Sequence, residues 1–253
     1  MDKLSSYLIG LVGKSGHGKD YTAKIIQSVF EQAGQPYQIT SWALSLRELL
    51  YQLLGLPISL TLSEQGKASH IYLTDDSIEA IPNIPIVWVV ALPTLSSLTT
   101  GITNFLHSHN IAVSSDKLDK AGQYLYSYLD NNRTPTIRQL LQTVGTEVMR
   151  NHISIDIWVD LLISKWQMEG CPTTVITDCR FVNEYQAVKT HGRILRVVRV
   201  DCYGQIYINP GIDPIHSSET SLDHLVGEMD TVVNDMTNRY NQLVVQWVKN
   251  LIS

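Results

Sequence analysis

The stretch GLVGKSGHGKDYTA, residues Gly10 to Ala23, decides how the rest of the chain is read. Gly13, Gly18 and Lys19 stand at the spacing of a phosphate-binding loop: glycine, four residues, glycine, lysine. Such a loop ends in Ser or Thr, whose hydroxyl reaches Mg²⁺, but here the next residue is Asp20. The apolar run Tyr7–Val12 before the loop predicts a short buried strand. After it, Tyr21, Ile25, Ile26, Val29, Phe30 and Ala33 recur at helical spacing, and Gly34 closes the pattern. Strand, glycine loop and helix are the setting in which backbone N–H groups and a helix N-terminus can hold phosphate oxygens.

Outward from the loop, strands alternate with helices. A strand is expected near Gln38–Trp42, then helices near Leu46–Leu54 and Ile155–Trp166. Thr174–Thr177 reads as a buried strand ending at Asp178, followed by a helix through Lys189 and a strand at RILRVVRV. The last helix has Tyr240, Leu243, Val244, Trp247, Val248 and Leu251 on one face. This alternation predicts an α/β fold in three layers, a parallel sheet flanked by helices, within a single domain spanning 1–253. Residues 55–132 show no clear period apart from a helix near Lys117–Leu129. They read as an insertion on the sheet core carrying a lid or acceptor-binding region, with Arg133 and Lys67 as lid candidates.

Bulk properties narrow the function. With 44% hydrophobic and 17% charged residues, the chain can bury a sizeable core. A net charge of −5 without basic runs argues against nucleic-acid or membrane partners, and the longest apolar run, Ile86–Leu92, cannot span a bilayer. Cys171, Cys179 and Cys202 form neither a metal-ligand spacing nor an even disulfide set, and the N-terminus lacks a signal-peptide plan, so a cytoplasmic setting is expected. The amphipathic last helix leaves a homodimer open.

Two further constellations carry chemistry. In TPTIRQLLQTVGTEVMR, residues Thr134 to Arg150, the apolar stripe Ile137, Leu140, Leu141, Val144 and Val148 predicts a helix. Arg138, Gln142, Gly145 and Thr146 share its other face: an arginine to clamp phosphate, two hydrogen-bonding side chains, and a glycine leaving room. The same pattern also suits a solvated face. Asp178 and Arg180 end a strand where ligands bind in doubly wound sheets, with Glu184 one turn on. That set reads either as part of a site or as an i,i+4 ion pair. Asp20 reads either as a hard oxygen ligand for Mg²⁺ or as an anion favouring the helix dipole.

GKSGHGKD, RQLLQTVGTEVMR with Trp158 behind it, and DCRFVNE together resemble the deoxynucleoside monophosphate kinases carried by tailed bacteriophages. That family has a P-loop kinase fold and commonly has Asp after the loop lysine. The resemblance implies transfer of the ATP γ-phosphate, with Mg²⁺, to a deoxynucleoside monophosphate. It assigns Gly13, Lys14, Ser15, Gly16, His17, Gly18, Lys19, Asp20, Tyr21 and Thr22 to ATP, with Lys19, Asp20, Arg138 and Arg180 in catalysis. It places Arg138, Gln142, Gly145, Thr146, Trp158, Asp178, Arg180, Glu184 and Arg47 around the acceptor. Trp158 would offer an aromatic surface to the base, although its sequence context alone suggests core. Tyr21 departs from the family's Thr, a loss that Thr22 would offset. HSSE, His216–Glu219, also resembles a family segment, while its chemistry supports only a surface turn. A kinase for another small phosphorylated acceptor, of the phosphomevalonate type, and a nucleotide-dependent ATPase switch are the alternatives.

Overall fold

The computed structural model describes residues 7–74, 86–209 and 220–252. The chain divides into two compact units, one built from Met1–Trp42 and Trp166–Ser253, the other from Ala43–Lys165.

The first unit holds a five-stranded sheet. In chain order its strands are β1 (Leu8–Val12), β2 (Gln38–Thr40), β5 (Thr174–Cys179), β6 (Gly192–Arg199) and β7 (Asp230–Asn234). In space the order is β2-β5-β1-β6-β7, and every pairing is parallel. All five residues of β1 are buried, as a central strand covered on both faces requires. Ile9 and Leu11 belong to a core shared with α1 (Lys19–Gln32) and the C-terminal helix, α9 (Asn238–Ile252). Its largest members include Phe30 and Tyr240, both almost fully buried. Helix α8 (Val182–His191) adds the buried Tyr185 and Val188. Because β1 pairs with β5 on one side and β6 on the other, the loop that leaves it opens at the sheet's switch point, where the carboxyl ends of neighbouring strands leave a crevice for ligands.

The second unit has its own core. Helices α2 (Ala43–Leu54), α4 (Leu95–Ser108), α5 (Ser115–Asn131), α6 (Ile137–Gln142) and α7 (Ile157–Met168) contribute Leu49, Leu50, Ile102, Phe105, Leu125, Ile137 and Ile157, all nearly inaccessible. A short helix, α3 (Glu64–Ala68), precedes a parallel strand pair, β3 (His70–Thr74) with β4 (Ile86–Ala91). The segment before α6 runs along β3: Ile71 and Leu73 donate backbone N–H groups to Pro135 and Arg133. Thr136 then caps α6 in a reciprocal box with Gln139.

The expected helix of residues 134–150 has a change of pitch. Thr143–Ile153 is wound wider than an α-helix, with hydrogen bonds to the fifth residue along. Its buried positions are Val144, Gly145, Val148, Met149 and Ile153. The region 55–132 contains α3, α4, α5 and the strand pair; of these the sequence reading found only α5. No helix among the described residues is long and apolar enough to cross a membrane.

Candidate active site

The loop after β1 adopts backbone angles that side chains resist. Gly13 lies at φ +156°, and a Cβ there would stand 2.5 Å from the Val197 carbonyl of β6. Gly18, at φ +97°, begins α1 in the left-handed region. Lys19 is the first residue of that helix, and its ammonium donates to the carbonyls of Gly13 and Lys14. Its charge therefore sits inside the loop's own ring of backbone groups. Lys14 pairs with Asp223 at 3.3 Å, and both side chains are substantially solvated, so the pair adds little stability.

Asp20 is exposed in the first turn of α1. Tyr21, expected on the helix's buried face, is 51% exposed, and its ring lies beside Tyr240 of α9 with centroids 6.4 Å apart. Thr22 is on the buried face of α1. It is fully buried, donates to the Gly18 carbonyl at 2.9 Å, and bonds the Tyr240 hydroxyl.

Four residues outside the sequence reading, Asn234, Arg199, Tyr207 and Asn209, join this site. Asn234, at the end of β7, donates to the His17 carbonyl at 3.0 Å. Arg199, at the end of β6, donates to the Gly16 carbonyl at 3.3 Å and lies 4.2 Å above the Tyr207 ring. Tyr207 belongs to a hairpin over residues 199–209, closed by the Val200–Ile206 bridge and by Tyr207 donating to the Arg199 carbonyl. Asn209 of the same hairpin donates to the Ser15 hydroxyl at 3.2 Å. The legible signal was Arg199: a cation ending a predicted strand on the ligand side of the sheet. Beside the loop is a cavity of about 350 Å³, lined by Gly18, Tyr21, Arg199, Asn234, Thr237 and Tyr240 among others. It is within the size range of small-molecule sites and mixes aromatic, amide and guanidinium groups.

Asp178 and Arg180 lie at the end of β5. The Asp178 carboxylate accepts the Trp42 backbone N–H at 2.7 Å. Arg180 shares a cleft with Gly13, Lys14, His17, Arg196 and Asp223. Glu184 is 3% exposed and its carboxylate accepts the backbone N–H groups of Arg180 and Phe181 at 2.8 and 3.0 Å. It therefore caps α8. Burial, reinforced by Glu184 and Asp178, pushes the Cys179 thiol well above its ordinary value, which makes it inert as a nucleophile.

In the second unit, Arg138, Gln142 and Thr146 recur every four residues and are exposed. Arg138 and Lys67 both pair with the Glu64 carboxylate. Arg133 pairs with Asp130 at 2.6 Å. Arg47 is half-buried on α2. Gly145 leaves that face: the wider turn rotates it inward, where a Cβ would stand 3.0 Å from Leu46. The room it makes is filled by that leucine. Trp158 is 5% exposed and donates its indole N–H to the Gly145 carbonyl at 3.0 Å, so it is a core residue, as its context alone suggested. His216–Glu219 lies outside the described residues.

Comparison with protein families adds an independent line. A family model described as deoxynucleotide monophosphate kinase matches residues 89–239, more than half of the chain. The match begins well after the phosphate loop, so loop and family point to phosphoryl transfer separately. It also takes in residues 89–132, which the motif resemblance does not cover. No curated protein matches the chain. With a parallel sheet of P-loop kinase type, a lysine-bearing phosphate loop and this match, the chain belongs to the deoxynucleotide monophosphate kinase family, phosphotransferases acting on deoxynucleoside monophosphates.

Proposed function

We propose that the first unit binds ATP and that the second unit carries the acceptor-binding residues. The observation that carries this reading is the Gly13–Lys19 loop at the sheet's switch point, with a lined cavity beside it. The loop's N–H groups and Lys19 hold the donor's phosphates. The cavity takes the donor's base and sugar, with Tyr21 and Arg199 as planar surfaces and Asn234 and Thr237 as polar contacts. On the acceptor side, Arg138 clamps the monophosphate, Gln142 and Thr146 hydrogen-bond the nucleoside, and Arg47 adds a cation. Gly145 and Trp158 hold that face in shape from the core.

In the transfer, the bond from the β–γ bridging oxygen to Pγ breaks as an acceptor phosphate oxygen bonds Pγ in line. The acceptor oxygen is already ionised, so no general base is needed. Lys19 and Arg180 offset the charge on the transferred group, and exclusion of water prevents hydrolysis.

Asp20 would hold the Mg²⁺ that accompanies ATP, with the nucleotide's phosphate oxygens as its other ligands. The exposed Asp20 carboxylate is a hard oxygen ligand, and Asp178 is a second carboxylate at a neighbouring strand end. Bound there, the ion would offset phosphate charge and the repulsion between Asp20 and the β-phosphate. The test is a coupled ADP-release assay with each deoxynucleoside and ribonucleoside monophosphate. Near silence with ATP alone and turnover with at least one deoxynucleotide are expected. Hydrolysis indifferent to acceptor would overturn the reading in favour of an ATPase switch.

A further inference from the structure

Two arginines of β6, Arg196 and Arg199, stand three residues apart and so on opposite faces of the sheet, because side chains alternate along a strand. Arg199 shares its face with Leu195 and Val197, which pack in the core with α1 and α9, and it lines the cavity beside Gly18. Arg196 shares the other face with Ile194, which meets Val188 of α8 over Gly10. It stands in register with Val12, the last residue of β1. There it lines a narrower cleft with Gly13, Lys14, His17, Arg180 and Asp223.

The two hollows differ in size and in chemistry. The cavity at Arg199 holds about 350 Å³, whereas the cleft at Arg196 holds about 30 Å³, room for one or two oxygen atoms and none for a base. Among the described residues, the charged side chains of the cleft are Lys14, Arg180, Arg196 and Asp223. Asp223 is already paired with Lys14. Of the carboxylates near Arg180, Asp178 accepts the Trp42 N–H, and Glu184 accepts the N–H groups of Arg180 and Phe181. Arg196 is half-buried, and among the described residues it has neither a hydrogen bond nor an ion pair. A cation drawn partly out of water without a partner is unfavourable until an anion completes it. A guanidinium offers such an anion a planar fork of N–H donors.

We propose that Arg196 is a catalytic residue, which with Arg180 holds the phosphoryl group as it passes from donor to acceptor. This rests on the donor-site reading above. With the donor's base in the cavity beside Gly18 and its phosphates along the loop, the terminal phosphate reaches the loop's other side, where Gly13 and Lys14 border the cleft. As the bond from Pγ to the bridging oxygen breaks, its electron pair stays on the β-phosphate of ADP. The acceptor's phosphate oxygen supplies the pair for the new bond. Two guanidinium groups, from the strands that flank β1, then face the charge on the oxygens of the group in flight.

The test uses the full chain with Arg196→Met, which removes the charge and keeps an unbranched side chain, and Arg196→Lys, which keeps the charge without the fork. The kcat should fall about 100-fold or more in Arg196→Met and less in Arg196→Lys. The KM for each nucleotide should stay within about threefold of wild type, the pattern of an interaction made only in the transition state. Without ligands, Arg196→Met should melt no earlier than wild type, since it loses no partner. Aluminium fluoride with ADP and acceptor, a stand-in for the group in flight, reads the contact without turnover. It should raise the wild-type melting temperature beyond ADP and acceptor alone, and that extra rise should vanish in Arg196→Met. A kcat within about threefold of wild type overturns the proposal, as does a lost kcat accompanied by an earlier melt of the unliganded variant. An equal extra rise in variant and wild type overturns it as well. Wild-type protein that shows neither acceptor-stimulated turnover nor the extra rise would instead sink the kinase reading on which the proposal rests.

Discussion

Asn234 and His17 are joined by a single amide-to-carbonyl hydrogen bond of 3.0 Å, which ties the last strand of the sheet to the phosphate loop. The same side chain accepts the Met236 backbone N–H at 3.1 Å, so one buried amide holds both the loop and the turn beside the donor cavity. A Cβ at Gly18 would stand 2.6 Å from the Asn234 amide nitrogen, which shows how closely loop and strand approach. Asn234→Ala removes the donor to the buried His17 carbonyl and the acceptor of the Met236 N–H. It should lower the unfolding free energy by about 1–3 kcal/mol and raise the KM for ATP, read by denaturant titration and steady-state kinetics. Asn234→Asp should harm ATP binding more, because it sets a negative charge beside the phosphates.

Asp20→Asn keeps the shape of the side chain and removes its charge. If Asp20 holds the ion that accompanies ATP, the variant needs a higher Mg²⁺ concentration for half-maximal rate, with KM for the acceptor unchanged. A metal titration identical to wild type would leave Asp20 only its favourable interaction with the helix N-terminus, worth about 0.3–1 kcal/mol.

The layout of the first unit could be read from the sequence because its signals are local. Buried parallel strands are short apolar runs, and the phosphate loop is fixed by Gly13, Gly18 and Lys19. What stayed hidden depends on distance along the chain. Nothing near Asn234 or Tyr207 says that each meets a loop about 200 residues earlier. The second unit was obscure for another reason. Its strand pair is parallel and separated by a connection, and Val87 and Val89 of β4 remain 41% and 50% exposed, so no simple buried pattern marks them. Gly145 was misplaced because a reading at 3.6 residues per turn cannot foresee the wider turn that carries it into the core.

Arg138 and Glu64 give the acceptor side its sharpest test. Hydrogen bonds from Lys67, then from Arg138, hold the Glu64 carboxyl below its ordinary value. A lowered carboxyl contributes stability above its unfolded-state value and loses it as pH falls through the folded one. Glu64 is 71% exposed, so solvent screens the pair and the contribution is small. Glu64→Gln should therefore cost under about 1 kcal/mol at neutral pH, with no difference from wild type in acid, and KM for the acceptor should change little. Arg138→Gln should raise that KM by about 10- to 100-fold while the KM for ATP holds, as loss of a charge-assisted phosphate clamp predicts.

Arg199 and Tyr21 line the cavity beside the phosphate loop, from β6 and α1. Arg199→Ala removes both the guanidinium over Tyr207 and the donor to Gly16, so it should raise the KM for ATP and loosen the hairpin. Tyr21→Ala removes an exposed ring that contributes little to the core. Its effect should fall on ATP binding and leave the melting temperature nearly unchanged. Thermal melts separate the two: without ATP only Arg199→Ala should melt earlier, whereas with ATP both variants should lose part of the shift that the nucleotide gives wild type.

Trp158 decides between packing and recognition. Its indole N–H is committed to the Gly145 carbonyl, and its ring is in the core of the second unit. Trp158→Phe keeps an aromatic ring, loses indole volume from the core and deletes the side-chain donor to the Gly145 carbonyl. The expected cost is about 1–3 kcal/mol of stability, seen as a lower denaturation midpoint. The acceptor KM, measured well below the melting temperature, should stay within about twofold of wild type, because fully formed core contacts carry no differential energy between free and bound states. A several-fold rise in that KM with an unchanged midpoint would place the indole against the acceptor's base instead. Gly145→Ala probes the same wall from the other side. Its added methyl presses on Leu46, so pairing it with Leu46→Ala should recover part of the lost stability if packing is what the glycine serves.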